Sequence, residues 1–192
     1  MSYDSTFHHR RSIRLKHYDY TSEGAYFVTL CAHLHQCLFG EIVEGKHFEK
    51  DVRLNVLGQI AEQEWLKTPS IRPDILLDAF VIMPNHVHGI IIMTSLDENG
   101  VVGARRRLAP TATHQPSAFG RPPAQSLSSA IGAFKSIVAR RINVLRSTPG
   151  GLLWQRNYYE HIIRNELDLE RIRTYIANNP ARWGEDEYNP DL

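Results

Sequence analysis

The order of the predicted elements indicates an α+β fold: a ferredoxin-like βαββαβ domain with an extra hairpin and a further C-terminal helix. Segments rich in aromatic and β-branched residues alternate with longer segments of helical periodicity. Two apolar segments also follow one another across Pro84-Asn85, a turn signal, as the central strand pair of this plan requires.

Local signals place the elements of the first half of the chain. Asp51 is a good N-cap, and Thr68-Pro69 stops the helix that it begins. Alternation around Glu44-Gly45 is typical of a hairpin. The predicted elements are a strand at 25–30 continuing through 31–40, a hairpin at 40–50, a helix at 51–67, and strands at 75–83 and 86–93.

The second half contains two more helices around one more strand. A helix is predicted from about 126 to 145, with Lys135, Arg140 and Asn143 on its more exposed side. A strand at 154–163 and a helix at 165–178 complete the plan.

Composition predicts one domain, 1–192, with a flexible loop inserted at about 95–125. That segment is rich in Pro, Gly, Ser, Thr and Arg and has no periodicity. No apolar run reaches bilayer length, and the N-terminus lacks the apolar core of a secretory signal. We therefore expect a cytoplasmic protein with no membrane partner.

Charge is unevenly distributed, although the net charge is only +1. No acidic residue occurs between Glu98 and Glu160, and basic residues cluster there and near the N-terminus. Such segregation is typical of a surface that binds nucleic-acid phosphates, although a solvated basic loop beside an ordinary helix surface would look the same. The candidate DNA-binding residues include Arg10, Arg11, Arg14, Lys16, Lys135, Arg140, Arg141 and Arg156.

Paired histidines are the strongest chemical motif. In a strand, His86 and His88 point to the same face about 6.6 Å apart, while Val87 points to the core. Two neutral imidazoles are a partial ligand set for a divalent metal, although structural histidines would explain the pair about as often.

A second pair, His33 and His35, is flanked by Cys31 and Cys37 at the same spacing. On an extended strand these four side chains span about 20 Å, too far for one tetrahedral metal. Polar side chains on a strand, directed to solvent or substrate, are the favoured interpretation.

A tyrosine on the last helix could supply a nucleophile. Tyr175 and Asn179 are four residues apart and therefore neighbours on one helical face. A tyrosine hydroxyl can attack a phosphodiester, and an amide oxygen can complete a metal site. Packing of Tyr175 at the core edge is the alternative.

Tyr158 and Arg156 lie in a segment of interleaved aromatic and basic residues that suits base stacking, or equally a half-buried strand.

Together these segments resemble the single-tyrosine HUH transposases, most closely the REP-associated tyrosine transposases. The resemblance covers most of the chain. Its blocks are RSIRL at 11–15, YDY at 18–20, GAYFVT at 24–29, LFGE at 38–41, MPNHVHGI at 83–90, FKS at 134–136, WQRNYYEHIIRN at 154–165 and YIANNP at 175–180.

The resemblance implies roles for individual residues. His86 and His88 would be metal ligands, Tyr175 the nucleophile, and Asn179 would stand where related enzymes have a polar ligand, often glutamine. The resemblance also implies Mg²⁺ or Mn²⁺ as cofactor and single-stranded hairpin DNA as substrate. Monomer and homodimer both remain open.

The expected function is therefore that of a transposase and endonuclease, which cleaves and rejoins hairpin single-stranded DNA through a 5′-phosphotyrosine intermediate. Two alternatives stay open. One is a domesticated protein that binds hairpin DNA without cutting it. The other is a metal-dependent phosphodiesterase that uses water instead of a tyrosine.

Overall fold

The computed structural model describes residues 19–45, 50–95, 123, 125–190 and 192. The N-terminal candidates Arg10, Arg11, Arg14 and Lys16 lie outside these ranges, as does most of the segment at 95–125. Their DNA-binding role, and the division into one domain with a flexible inserted loop, therefore stay predictions.

A four-stranded antiparallel sheet forms the centre of the protein, and a separate two-stranded hairpin adjoins it. The strands are β1 Gly24–Cys31, β2 Gly40–Glu44, β3 Lys50–Leu54, β4 Ile75–Ile82, β5 His86–Met93 and β6 Tyr159–Ile163. The helices are α1 Val56–Leu66, α2 Thr68–Ile71, α3 Leu127–Leu145 and α4 Glu166–Asn178, and 3-10 turns occur at His33–His35 and Trp183–Glu185. Of the helices in the described ranges, none combines the length and apolarity that a membrane crossing needs.

The strand order of the sheet is β4-β5-β1-β6, and β2 pairs only with β3. Each neighbouring pair in the sheet is antiparallel. With α1 before β4, α3 before β6 and α4 after it, this arrangement confirms the predicted ferredoxin-like fold with an extra hairpin and a C-terminal helix.

The two faces of the sheet are covered by different helices. Along β5, Val87 and Ile91 join the larger core beneath α1 and α3, whereas Ile90 and Ile92 join a smaller core beneath α4. The alternation of side chains along the strand produces this division. His86, His88 and Ile90 are alternate residues of β5, so their side chains point to the same face of the sheet. The two histidines therefore lie on the α4 side.

Gly89 permits the close packing of α1 on the sheet. A Cβ atom at this position would lie 2.3 Å from Cζ2 of Trp65, which is nearly fully buried. The Trp65 ring also packs edge-on against Phe134 of α3, at a centroid distance of 5.2 Å. A side chain larger than hydrogen at position 89 would therefore displace α1 from the strand that carries the histidines.

Two predicted boundaries in the first half were wrong. β1 ends at Cys31, and the chain turns at 33–35 because Leu34 and His35 adopt positive φ values of 54° and 52°. The predicted helix start at Asp51 falls inside β3, and the true N-cap is Asn55, whose side chain accepts hydrogen bonds from two backbone N–H groups of α1.

Two predictions in the second half were also corrected. The strand predicted at 154–163 begins only at Tyr159, while Trp154 makes an isolated bridge to Ala32. Asn143, expected on the exposed side of α3, is buried, because its side chain donates to the Gly151 carbonyl and accepts from Thr148. This bonding stabilises the turn that follows α3.

Candidate active site

Two buried histidines lie side by side on the α4 side of the sheet. His86 and His88 are at most 1% exposed, and their Nε2 atoms are 3.0 Å apart. The Nδ1 atom of His86 is 2.8 Å from Oδ1 of Asn85, and Nδ1 of His88 is 2.9 Å from the Thr29 hydroxyl. Asn85 donates through its own Nδ2 to two backbone carbonyls, so its Oδ1 faces His86 as an acceptor. The His86 proton is therefore placed on Nδ1, and a lone pair on Nε2 faces His88.

Burial keeps both imidazoles neutral. It lowers the pKa of His86 to about 3, an effect that the nearby Asn179 side chain partly opposes. Burial also holds the pKa of His88 well below its ordinary value, and the neighbouring His86 adds to this effect. Neutral imidazole is the form that binds a metal ion.

Two further oxygen groups approach the histidines. Oδ2 of Asp186 is 4.0 Å from Nε2 of His86, and the ligand atoms of Asp186, His86 and His88 lie within 4.8 Å of one another. Oδ1 of Asn179 is buried and has no hydrogen-bond partner in the described part of the protein. Nitrogen and oxygen atoms in this arrangement suit Mg²⁺ or Mn²⁺, and a cation would satisfy the buried Asn179 oxygen. The group could thus hold a divalent metal.

The Tyr175 hydroxyl lies beside this group. It is 3.2 Å from Nε2 of His88, and the Tyr175 ring packs edge-on against Phe27, at a centroid distance of 5.9 Å. Burial raises the pKa of the Tyr175 hydroxyl, and the carboxylates of Asp186 and Glu187 raise it further, whereas the nearby Asn179 side chain lowers it. Tyr175 is nevertheless 41% exposed and lines a cleft.

A C-terminal segment, residues 183–190, packs against the histidines. The ring of Tyr188 stacks on His35 and lies 4.9 Å from the ring of His86. Asn85 donates to the Tyr188 carbonyl, which fixes the segment to the turn before β5. Sequence reasoning missed Asp186, which lies in the acidic run at 185–187. Three consecutive acidic residues shortly after the tyrosine helix were the available signal.

The site opens into a cleft of about 740 Å³ between the sheet and α4. The cleft reaches from Asp186 and Glu187, past Tyr175, to residues of β6 and the exposed side of α4. Tyr159, His161 and Arg171 line it, although none of them was predicted as a site residue. The structure thus brings together His86, His88, Tyr175 and Asn179, and of these four His88, Tyr175 and Asn179 line the cleft.

The predicted DNA-binding residues in the described ranges lie in different surroundings and do not share the cleft. Lys135 donates to the backbone carbonyls of 155, 156 and 157, and Arg141 forms an ion pair with buried Glu64. Tyr158 packs against the larger core beneath α1 and α3, and it does not line the cleft.

Arg140 lies with Arg141 in a shallow groove between α1 and α3, whereas Arg156 is exposed in the segment before β6. None of the four predicted basic residues in the described ranges lines the cleft that contains Tyr175. Their DNA-binding role stays a prediction.

The second histidine pair does not lie on an extended strand. His33 and His35 lie in a 3-10 turn, where Nε2 of His35 is 2.7 Å from the Gln155 side chain. The predicted location on an extended strand was wrong because the chain reverses direction directly after β1.

Comparisons with known proteins agree with this fold. No protein-family model matches the chain. It is 41% identical over 192 residues to an uncharacterised protein from Haemophilus influenzae, with 98% of each chain covered. A solved REP-associated tyrosine transposase bound to a REP hairpin matches with a TM-score of 0.55 at 18% identity, covering 91% of this chain and 77% of that one.

A structure from Deinococcus radiodurans, described as that of a candidate transposase, matches 88% of this chain and 99% of its own at 16% identity. Its TM-score is 0.39. The similarity to the REP-associated tyrosine transposase confirms the fold that the sequence resemblance implied.

Proposed function

We propose, from the premise that this chain belongs to the same family as the Haemophilus influenzae protein and has the fold of a REP-associated tyrosine transposase, that it is an HUH single-tyrosine transposase. Its substrate would be single-stranded hairpin DNA. One observation carries the proposal: the hydroxyl of the partly exposed Tyr175 lies 3.2 Å from Nε2 of His88, beside a buried group that suits a metal ion.

The reaction would be a transesterification in the cleft. The Tyr175 oxygen attacks the phosphorus of a phosphodiester, so that an O–P bond to tyrosine forms and the bond to the 3′ oxygen breaks. The phenolic proton passes to water at the exposed side of Tyr175, and the departing 3′ oxygen takes up a proton to become a 3′-OH. Attack by a different 3′-OH on the 5′-phosphotyrosine would rejoin the strands.

Each residue around the cleft would have a separate role in this reaction. Phe27 supports the Tyr175 ring edge-on, which restricts the direction of attack. His86, His88, Asp186 and Asn179 would hold Mg²⁺ or Mn²⁺, which supplies charge stabilisation at a phosphate. Asn85 and Thr29 orient the two imidazoles.

A denaturing gel tests the nucleophile. The protein is incubated with end-labelled single-stranded hairpin DNA from the flanks of its own gene and with Mn²⁺ or Mg²⁺. We expect a band of protein-linked DNA with the wild type and none with Tyr175→Phe, which removes only the attacking oxygen. Tyr20→Phe is the matched control, because Tyr20 packs against the core on the opposite face of the sheet.

Other outcomes of the gel point to the alternative functions. Binding without a covalent band would indicate a non-catalytic hairpin-binding protein. Cleavage without a covalent band would indicate a phosphodiesterase that uses water. An undiminished adduct with Tyr175→Phe would exclude Tyr175 as the nucleophile.

Titration with Mn²⁺ in a calorimeter tests the metal group without relying on activity. We expect His86→Ala and Asp186→Asn each to weaken Mn²⁺ binding by at least about 10-fold, because each loses a ligand atom. His33→Ala is the control, since His33 lies in the 3-10 turn and outside the group. Unchanged affinity in both variants would contradict this assignment.

A further inference from the structure

The end of the cleft away from Asp186 has a different chemical character. Tyr159 and His161 are on β6, and Arg171 is on α4. β6 pairs with β1 so that Tyr159 is opposite Thr29, and His161 is opposite Phe27. Because side chains of paired residues share a face, these residues continue the surface that carries His88. An aromatic ring and two groups that can bind phosphate thus meet at one end of the cleft.

This end lies close to the nucleophile. Thr29 is the partner of His88 on one side and of Tyr159 on the other, so the two residues are two strand spacings apart, or about 10 Å. The Phe27 ring contacts both Tyr159 and Tyr175 edge-on, at centroid distances of 6.2 and 5.9 Å. A nucleotide next to the bond that Tyr175 attacks could therefore reach Tyr159.

A shared carboxylate fixes the two phosphate-binding candidates. Oδ2 of Asp168 is 2.7 Å from Nε2 of His161, and its Oδ1 accepts a 2.7 Å hydrogen bond from the Arg171 guanidinium. Asp168 itself is held at the N-terminus of α4, where its backbone N–H donates to the side chain of Asn165. Asp168 thereby holds His161 and Arg171 together at the wall of the cleft.

The Tyr159 ring is available for stacking. Tyr159 is 49% exposed although it lies in a strand, whereas its neighbour Tyr158 packs into the larger core. Exposed aromatic rings beside cationic groups are the usual binding surface for single-stranded nucleic acid, since every base has a π-face that can stack. The opposite end of the cleft has the carboxylates of Glu185, Asp186 and Glu187 against the one cation of Arg182, so phosphates would favour the Arg171 end.

We propose that Tyr159, His161 and Arg171 form a subsite for one of the two nucleotides next to the cut. The base of that nucleotide stacks on Tyr159, and its phosphate is bound by Arg171 and His161. This inference rests on the proposed function, because it takes single-stranded DNA cut at Tyr175 as the ligand. It adds the residues that hold the strand next to the cut.

Binding to abasic DNA tests the stacking contact. Dissociation constants are measured in the Tyr175→Phe background for a hairpin oligonucleotide and for versions with one base removed at each position near the cut. We expect one of the two flanking positions to be sensitive, with a loss of about 5- to 100-fold when its base is absent. Tyr159→Ala should weaken binding of the intact DNA by a similar factor and abolish the sensitivity at that position.

Tyr159→Phe is the matched variant, since it keeps the ring, and it should bind like the parent protein. Circular dichroism shows whether Tyr159→Ala is folded, which its exposed position favours. If Tyr159→Ala keeps both the affinity and the sensitivity to base removal, the stacking contact is excluded. The same holds if Tyr159→Phe is as impaired as Tyr159→Ala.

Salt dependence tests the phosphate contact separately. Arg171→Gln should reduce the slope of log Kd against log salt concentration by about 0.7, the value for one phosphate contact to a single strand. Arg53→Gln, in the separate hairpin, should leave the slope unchanged. Equal slopes for Arg171→Gln and the parent protein would contradict the phosphate site.

The gel assay separates failure of this subsite from failure of the proposed function. If wild-type protein forms no covalent adduct, the proposed function is contradicted, and so is the inference that rests on it. If the adduct forms and the Tyr159 and Arg171 variants behave like their parent, only the subsite is contradicted.

Discussion

The two faces of the sheet differ in what their side chains do. The face beneath α1 and α3 is filled by large apolar residues, with Trp65 packed against Phe134 and directly over Gly89. The face beneath α4 has a smaller apolar core, and beside it lie buried polar groups, His86 and His88 among them. One face therefore provides most of the folding stability, and the other face can hold polar groups in fixed positions.

Strand β5 shows this difference within eight residues. Its odd-numbered residues face the larger core, and its even-numbered residues begin with the two histidines and continue with Ile90 and Ile92. Packing on one side thus holds the strand in place while the other side carries the paired imidazoles, of which His88 lines the cleft. Functional sites supported by regular elements in this way keep their geometry more accurately than sites on loops.

The largest expected effect on stability comes from the larger core. Trp65→Ala should lower the free energy of unfolding by about 3–5 kcal/mol, because it leaves a cavity above Gly89. On the other face, Tyr175→Phe should change it by less than about 0.5 kcal/mol, since Tyr175 is 41% exposed. Urea unfolding measures both values. Equal losses would show that the two faces do not divide stability and chemistry as described.

A smaller effect is expected from the group that orients His88. Thr29→Val removes the hydroxyl that is 2.9 Å from Nδ1 of His88 and keeps the shape of the side chain. We expect Mn²⁺ affinity and adduct formation to fall by about 10-fold or somewhat more, as for other groups that orient metal ligands. Thr29→Ser keeps the hydroxyl and should restore most of both. A Thr29→Ser variant as impaired as Thr29→Val would indicate that packing is responsible.

The smallest expected effect concerns Asp168. Although partial burial opposes the shift, hydrogen bonds from Arg171 and His161 hold the pKa of the Asp168 carboxyl below its ordinary value. A carboxyl with a lowered folded-state pKa stabilises the protein above its unfolded-state pKa, near 3.9, and this contribution is lost as the pH falls through the folded-state value.

Asp168→Asn should therefore lower the free energy of unfolding by less than about 1 kcal/mol at pH 7, because partly exposed ion pairs are screened by water. The difference from wild type should shrink as the pH falls below 4. Urea unfolding at a series of pH values measures it. A difference that grows with acidity would contradict this linkage.

The sequence was sufficient for the parts of the fold that depend on local periodicity. Alternation along β5 predicts that His86 and His88 share a face and that Val87 joins the core, and the structure has this arrangement. The last helix was also placed correctly, because Asn165 is an N-cap whose side chain accepts a hydrogen bond from the Asp168 backbone N–H.

Features that depend on distant contacts could not be predicted in the same way. Tyr158 was the predicted DNA contact, whereas Tyr159 lines the cleft. Two adjacent aromatic residues do not indicate which ring faces which side of a strand, and only the pairing of β6 with β1 decides it. Asp186 reaches the histidines because residues 183–190 fold back against them, through contacts such as that of Asn85 with the Tyr188 carbonyl. The three consecutive acidic residues at 185–187 indicate candidate ligands, but no local pattern specifies which of them contacts the histidines.

Mass mapping of the covalent adduct tests the central claim most directly. After reaction with hairpin DNA, nuclease trimming and tryptic digestion, we predict a nucleotide mass on the peptide 174–182, whose one tyrosine is Tyr175. A nucleotide mass on the peptide 157–164, which contains Tyr158 and Tyr159, would contradict the assignment of the nucleophile.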